Sequence, residues 1–506
     1  MLPSVVLLLL FSSSISATHL ALRRRATNTS NGSGQDTSPL TTTLFNTIFD
    51  VNITIGTQTV PVLVDTGSSD TYVMRTSYTC INGTTNAIIP QSSCLYGPTL
   101  YDPTLSPTYH AIANESFGVL YGAGIASGLM ATETVTLSGL TAHNVTVGIA
   151  DISTPMGDGL NVGLLGLGYP SLTSAHPGPI SNTPNDTFYL NRLPYNPIIY
   201  TMRDQGLLDS PTFSIALART PQNDSTGFGG YLSLGTLPPV QHDADFTTVP
   251  VEITSALPLN VTSGQKVRSY WTLTVSDIRY GPNTSISAPP PSSASASLPG
   301  NANANATNTS LETSTASFQA FVDTGNYISY LPGQVVSEIN SLFSPPAVYD
   351  PTSELYVVDC TATPPQVGVT IGNATFFHDG RDLVYQIGGV AGSGAEEDGG
   401  GQGDSLCVSS IASADSAAFQ GISIGILGVP FLKNVVSVFD IERNEMRFAK
   451  LTGEVQRGQE DDGTSSNTGN SVSNAGARSF KSQDGGHFIR VVIAVAMCVG
   501  LGGLLV

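Results

Sequence analysis

The chain has 506 residues, of which only 11% are charged, and its 38 acids against 19 Lys and Arg give a net charge of −19. Phosphate binding needs clustered bases, so this balance argues against a nucleic-acid partner, while the length allows two well-buried domains. A scarcity of bases suits an acidic milieu as readily as it serves simple solubility. The seven histidines are scattered, and His242-Asp243-Ala244-Asp245 reads as an acidic turn, so no metal and no other cofactor is expected.

In chain order, Val5 to Phe11 is an apolar run ahead of the small residues Ser16-Ala17, which predicts a signal peptide over 1–17. The Arg23-Arg24-Arg25 run that follows reads as a processing site or a solvated patch. Residues 18–40 are expected to be a short, disordered pro-segment, because the Thr, Ser, Asn and Gly there show no periodicity. Strand signals begin with the period-2 alternation of Thr47 to Gly56. They continue as short runs at Thr134 to Leu137, Tyr231 to Leu234 and Leu273 to Val275. Helical periodicity is rare, and Pro332 to Leu342 carries the best example. An all-β chain of two lobes follows, 41–245 and 246–452, with a low-complexity, glycosylated insert at 288–313 and a Gly-rich acidic loop at 391–404. Two cysteines fall in each half and read as the disulfides Cys80–Cys94 and Cys360–Cys407, leaving Cys498 in an apolar tail. Asn-x-Ser/Thr sequons recur throughout, among them Asn52, Asn114, Asn144, Asn283 and Asn373, as expected of a secreted glycoprotein.

A polar stalk is expected over 453–490. The apolar stretch 491–506 is short for a comfortable span, and with small residues near Asn474 it fits a GPI-attachment signal; a short tail anchor is the alternative. The protein is therefore expected in the secretory pathway and on the cell surface, GPI-anchored to the plasma membrane or the wall.

Chemistry is concentrated in two matched stretches. Val62-Leu63-Val64-Asp65-Thr66-Gly67-Ser68-Ser69 reads as a buried strand ending in a tight loop with one carboxylate, and Ala320-Phe321-Val322-Asp323-Thr324-Gly325-Asn326 repeats it. Each is followed roughly a hundred residues later by two aliphatics and a Gly, at Leu164-Leu165-Gly166 and Ile426-Leu427-Gly428. Matched signatures at matched spacing imply an internal duplication and a pseudo-dyad on which the two carboxylates can face each other.

This combination resembles the pepsin-like aspartic protease family, including its fungal secreted or GPI-anchored members, from about Thr47 to Leu451. Tyr121-Gly122-Ala123-Gly124 is similar to the family's flap, Tyr270-Trp271 to the strand opening its second lobe, and Val438-Phe439-Asp440 to its closing strand. The resemblance implies a bilobal, all-β, monomeric endopeptidase with its cleft between the lobes, acting on polypeptides through a water activated by Asp65 and Asp323. It also implies that the Thr66 and Thr324 hydroxyls bond across the dyad and that Gly67 and Gly325 leave room for substrate. Ser68 would bond the outer oxygen of Asp65. Its counterpart is Asn326 rather than the usual Thr or Ser, Tyr72 replaces the Trp against which the flap Tyr121 packs, and Ala123 lacks the usual polar group. The family's Lys-bearing prosegment has no match, since the first lysine is Lys266. A catalytically inactive binding protein on the same fold, or a wall glycoprotein, is the competing reading.

Overall fold

A computed structural model describes residues 36–121, 124–178, 192–221, 225–257, 259–262, 264–283, 311–314, 316–389, 405–415 and 424–458. The signal segment, Gly122, Ala123, the 391–404 loop, Asn474, Cys498 and the 491–506 tail lie outside these residues.

Alternation builds the strands. In Ile48–Ile55, Phe49, Val51, Ile53 and Ile55 all enter one core while Asn52 faces out. Gln58–Asp65 pairs with it as a hairpin and adds Val60, Val62 and Val64 to that core, so the strand must deliver Asp65 at its end. β-branched residues dominate both, as a pleated, half-buried surface favours. One large sheet then runs through the molecule. Thr37–Thr43 lies between Ile48–Ile55 and Gly227–Leu234, which continues to Thr212–Leu217, Val435–Asp440, Glu445–Lys450 and Thr247–Pro250. Strands from both sides of residue 245 therefore share one set of ladders. A second sheet, centred on Thr272–Gly281, Phe318–Val322 and Gly425–Leu427, belongs to the second half.

Between the sheets the aromatic core crosses halves. Trp271 is fully buried, its Nε1 donates to Leu167 O at 2.9 Å, and its ring meets Tyr169, Phe213 and Phe439 at 4.8–5.6 Å. The disulfides are Cys80–Cys94 and Cys360–Cys407, closing 14 and 47 residues. The helix expected at Pro332 to Leu342 spans Gly333–Ser341, with Val335, Val336 and Ile339 buried on its inner face.

Four expectations need correction. Residues 37–40 of the supposedly disordered 18–40 segment open the strand Thr37–Thr43, with Leu40 and Thr42 buried. Local composition hides this strand because its order comes from two distant partners, not from its own periodicity. The 288–313 insert ends in order: Glu312–Ser314 pairs with Thr272–Gly281, while 288–310 lies outside the described residues. The stalk does not begin at 453, because Val455 is buried and the Tyr231 hydroxyl donates to Gln456 O and accepts from Gly458 N. Finally, the strand expected to open with Tyr270 and Trp271 starts one residue later, at Thr272, although Trp271 O still accepts from Val322 N at 3.0 Å and so joins the ladder at its edge. Asn52, Asn114, Asn144, Asn283 and Asn373 are all exposed.

Candidate active site

Each acid stands at the end of a strand that is paired in parallel to the aliphatic-aliphatic-Gly segment of its own half. Leu63, Val64 and Asp65 sit opposite Leu164, Leu165 and Gly166, and Ala320, Phe321 and Val322 opposite Gly425, Ile426 and Leu427. In each half that segment also pairs antiparallel with the strand that leaves the acidic loop, Thr71–Ile81 or Ser329–Leu331. The repeated motif is thus one repeated piece of topology, and it presents two loops to each other.

The loops are locked symmetrically. Thr66 Oγ1 donates to Val322 O at 2.8 Å and accepts from Thr324 N at 3.0 Å. Thr324 Oγ1 donates to Val64 O at 2.7 Å and accepts from Thr66 N at 3.0 Å. All four groups are buried, where an unmade hydrogen bond is most expensive. Within each loop the glycine N–H donates to its own acid, Gly67 N to Asp65 Oδ1 at 2.8 Å and Gly325 N to Asp323 Oδ1 at 2.9 Å. The glycines are also what allows the approach: a Cβ on Gly67 would lie 2.6 Å from the Asp323 carboxyl carbon, and one on Gly325 2.7 Å from Asp65 Oδ1.

Symmetry fails at the outer oxygens. The Ser68 hydroxyl donates a short hydrogen bond to Asp65 Oδ2. Asp323 Oδ2 has no hydrogen-bond partner among the described residues, and neither does Asn326 Nδ2, because the Asn326 amide turns to accept from Ile328 N with its oxygen. Both acids are fully buried. Burial raises Asp65, but the Ser68 hydroxyl and the Gly67 N–H stabilise its anion and limit the rise. Burial and then the charge of Asp65 hold Asp323 well above the usual carboxylate range. The two carboxyls titrate as a pair, with Asp323 raised the more strongly of the two. One ionised and one protonated carboxyl, facing each other in a dry setting, can take a proton from water and give one to a carbonyl oxygen.

The expected site residues therefore converge: Asp65, Thr66, Gly67 and Ser68 from one loop, Asp323, Thr324, Gly325 and Asn326 from the other. Tyr121 ends the strand His110–Tyr121 and lines a cleft with Gly67, Ser68 and Tyr270. Gly122, beside it, lies outside the described residues. Tyr72 does not line this cleft; it is buried behind it, its ring 5.6 Å from Phe117, in the same cluster as Tyr121. Three polar residues at or behind the cleft, Asp70, Arg192 and Tyr195, belong to no motif in the sequence. Asp70 is buried and accepts from Tyr195 Oη at 2.6 Å and Ser174 N at 2.9 Å, and Arg192 lines the cleft beside it. Only Asp70 was within reach of inference, as the neighbour of the acidic loop; Arg192 and Tyr195 arrive from an irregular segment with no pattern. Among the described residues no group of His, Cys, Asp and Glu is placed to hold a metal ion.

A sequence model of the eukaryotic aspartyl protease family matches residues 49–451. A probable aspartic-type endopeptidase of Aspergillus fumigatus is 36% identical over 404 residues, 79% of this chain and 78% of its own length. Rhizopuspepsin-1 of Rhizopus niveus is 27% identical over 404 residues, 79% of this chain and 78% of its own. The crystal structure of an aspartic proteinase from Irpex lacteus shares the fold at a TM-score of 0.53 and 21% identity, covering 82% of this chain and 97% of that one. With the duplicated strand–loop units facing each other and the match spanning both of them, the chain belongs to the eukaryotic aspartyl protease family and is an aspartic-type endopeptidase.

Proposed function

We propose that the chain cleaves polypeptides at acidic pH by adding a water, held between Asp65 and Asp323, to the scissile carbonyl. The observation that carries this reading is the pair of fully buried carboxyls, brought together by Gly67 and Gly325 and made unequal by Ser68. Asp65 takes a proton from the water as its oxygen bonds to the carbonyl carbon, and Asp323 gives its proton to the carbonyl oxygen. In the second step the proton on Asp65 passes to the amide nitrogen, the C–N bond breaks, and the hydroxyl proton of the intermediate returns to Asp323. No charge has to build up on a free oxyanion, which is what a protonated acid beside the carbonyl supplies. Tyr121 covers the cleft from the side of the hairpin and keeps bulk water out.

The test is cleavage of an unfolded protein between pH 3 and 6. Asp65→Asn and Asp323→Asn should each lower the rate by about 10²–10⁴-fold or more, with export and folding retained, since general acid and base roles carry that much each. Substantial peptidase activity in either variant would remove the assignment.

We further propose that the protein is a monomer that passes through the secretory pathway and is held at the outer surface by a GPI lipid near Asn474, or by 491–506 as a tail anchor. Disulfides on both sides of residue 245 and sequons on exposed positions support an oxidising, glycosylating route. Release from membranes by phosphatidylinositol-specific phospholipase, with 491–506 missing from the mature chain, is the expected result; recovery of that peptide in the membrane-bound protein would show the tail anchor instead.

A further inference from the structure

A cavity of about 610 Å³ opens between the Phe45–Asn46 turn, residues 219–221, the segment around Tyr385 and residues 454–456. It shares no lining residue with the cleft beside the two acids. Lys433, only 1% exposed, lines it. Its Nζ donates to Asn46 O at 2.9 Å and lies 5.1 Å from the centre of the Tyr385 ring. Among the described residues it forms no ion pair, because the nearby carboxylate is already engaged. Asp382 is gripped by Arg219, Nε to Oδ1 at 2.9 Å and Nη2 to Oδ2 at 2.6 Å, and also accepts from Asn434 Nδ2 at 3.0 Å. Two cations thus meet one anion at the cavity wall, and the ion pairs of Arg381 with Asp379 and Glu454 stand at the exposed rim. Burial pulls the Lys433 ammonium down to about 8, so it stays charged throughout the acidic range.

Two further donors point to the same conclusion. Tyr385 and Thr220 both line the cavity, and their hydroxyl oxygens are buried and have no hydrogen-bond partner among the described residues. Buried hydroxyls are nearly always satisfied, so two orphans beside an ammonium that has amide oxygens of Asn46 but, among the described residues, no carboxylate as partner mark missing acceptor atoms. Phe45, Pro221 and Val455 add apolar lining to the same cavity. The volume falls within the roughly 300–1,000 Å³ usual for small-molecule sites.

We infer that this cavity binds an organic oxyanion, a carboxylate or a phosphate monoester on an apolar body, whose oxygens accept from Lys433, Tyr385 and Thr220. Phe45, Asn46 and Thr220 come from one half of the chain and Tyr385 and Lys433 from the other, so the ligand would tie the halves together on a face the chemistry does not use.

The test uses the full-length protein with its catalytic cleft blocked by a transition-state-analogue inhibitor, and titrates 3-phenylpropionate, phenyl phosphate and the uncharged 3-phenylpropionamide by calorimetry at pH 5.5. Saturable one-site binding of the carboxylate or the phosphate is expected, with the amide at least about tenfold weaker, the cost of losing a charged acceptor. Lys433→Met should abolish binding. Tyr385→Phe and Thr220→Val remove hydroxyls that have no internal partner, so both should keep the fold and the peptidase activity while weakening the anion by about fivefold. Equal affinity for the amide, unchanged affinity in both hydroxyl variants, or no binding at all would overturn the assignment. Inorganic phosphate binding as tightly as phenyl phosphate would refute the apolar part of the ligand.

Discussion

Asp65 Oδ2 receives a hydroxyl hydrogen from Ser68, whereas Asp323 Oδ2 has no partner among the described residues, because the asparagine at the matching position, Asn326, uses its amide oxygen to accept from Ile328 N and donates nothing to the acid. A donor to the outer oxygen stabilises the ionised form, so its absence helps keep Asp323 protonated, on top of burial and the charge of Asp65. Asn326→Ser would restore a hydroxyl at the position symmetric to Ser68. The folded value of Asp323 should then fall, and the alkaline limb of the kcat/KM profile should move to lower pH while the acid limb stays near its place. An alkaline limb that does not move would show that Asn326 has no hold on the second acid. At this scale the sequence was informative wherever the chemistry was contiguous: Asp-Thr-Gly-Ser and Asp-Thr-Gly-Asn announce both acids and their unequal neighbours. It was silent where function comes from long-range packing. Nothing in the spacing of Arg192 or Tyr195 says that they reach Asp70 across more than a hundred residues.

The two acidic loops are tied to each other as well as to their own strands. Thr66 and Thr324 exchange four hydrogen bonds with the opposite chain segment at a separation of about 258 residues. Thr66→Val keeps the shape but leaves the Thr324 N–H and the Val322 carbonyl without that hydroxyl. Denaturant unfolding should show a loss of about 2–6 kcal/mol, two buried bonds at about 1–3 kcal/mol each. A loss below half a kcal/mol would mean that the loops are positioned by their strands alone. The disulfides act on the unfolded chain instead. Closures of 14 and 47 residues correspond to about 3 and about 4 kcal/mol by chain entropy, so Cys360→Ala with Cys407→Ala should cost somewhat more than the pair Cys80→Ala and Cys94→Ala. The strand Ile48–Ile55 is plain in its alternation, because Phe49, Val51, Ile53 and Ile55 enter one core while Asn52 and Thr54 keep contact with solvent. Thr37–Thr43 is not, because a strand flanked on both edges draws its order from the ladders.

For the whole molecule the buried acids set how stability depends on pH. Asp50 sits in the strand Ile48–Ile55, fully buried, with Asn161 Nδ2 donating to its Oδ1 at 3.3 Å. Burial first, then the neighbouring Asp158 charge, holds it well above the ordinary carboxylate range. The Asp158 carboxylate is itself fixed by Leu160 N at 2.8 Å, Asn161 N at 2.7 Å and the Thr43 hydroxyl, so it cannot swing away. Asp65, Asp70 and Asp323 are raised as well, each first by burial. A raised acid binds its proton more tightly in the folded than in the unfolded chain. Its contribution is complete below the unfolded value, near 3.9, and is lost as pH rises through the folded value, at up to about 1.4 kcal/mol per pH unit for each proton. The surface-turn acids Asp102, Asp350 and Asp359, half-buried or exposed, are lowered by hydrogen bonds from their own turns, so their smaller contributions are present above that value and fade in stronger acid. Opposite slopes on the two sides place the stability maximum in mild acid, consistent with a protein that has few bases to repel one another there. Asp50→Asn isolates one term. Its amide can donate to Asp158 as the protonated acid does, yet it has no proton to lose. Melting temperatures measured from pH 4 to 7.5 should fall steeply in the parent and less steeply in the variant, with the two curves converging at the acid end. Parallel curves across that range would show that the Asp50–Asp158 contact does not couple folding to pH.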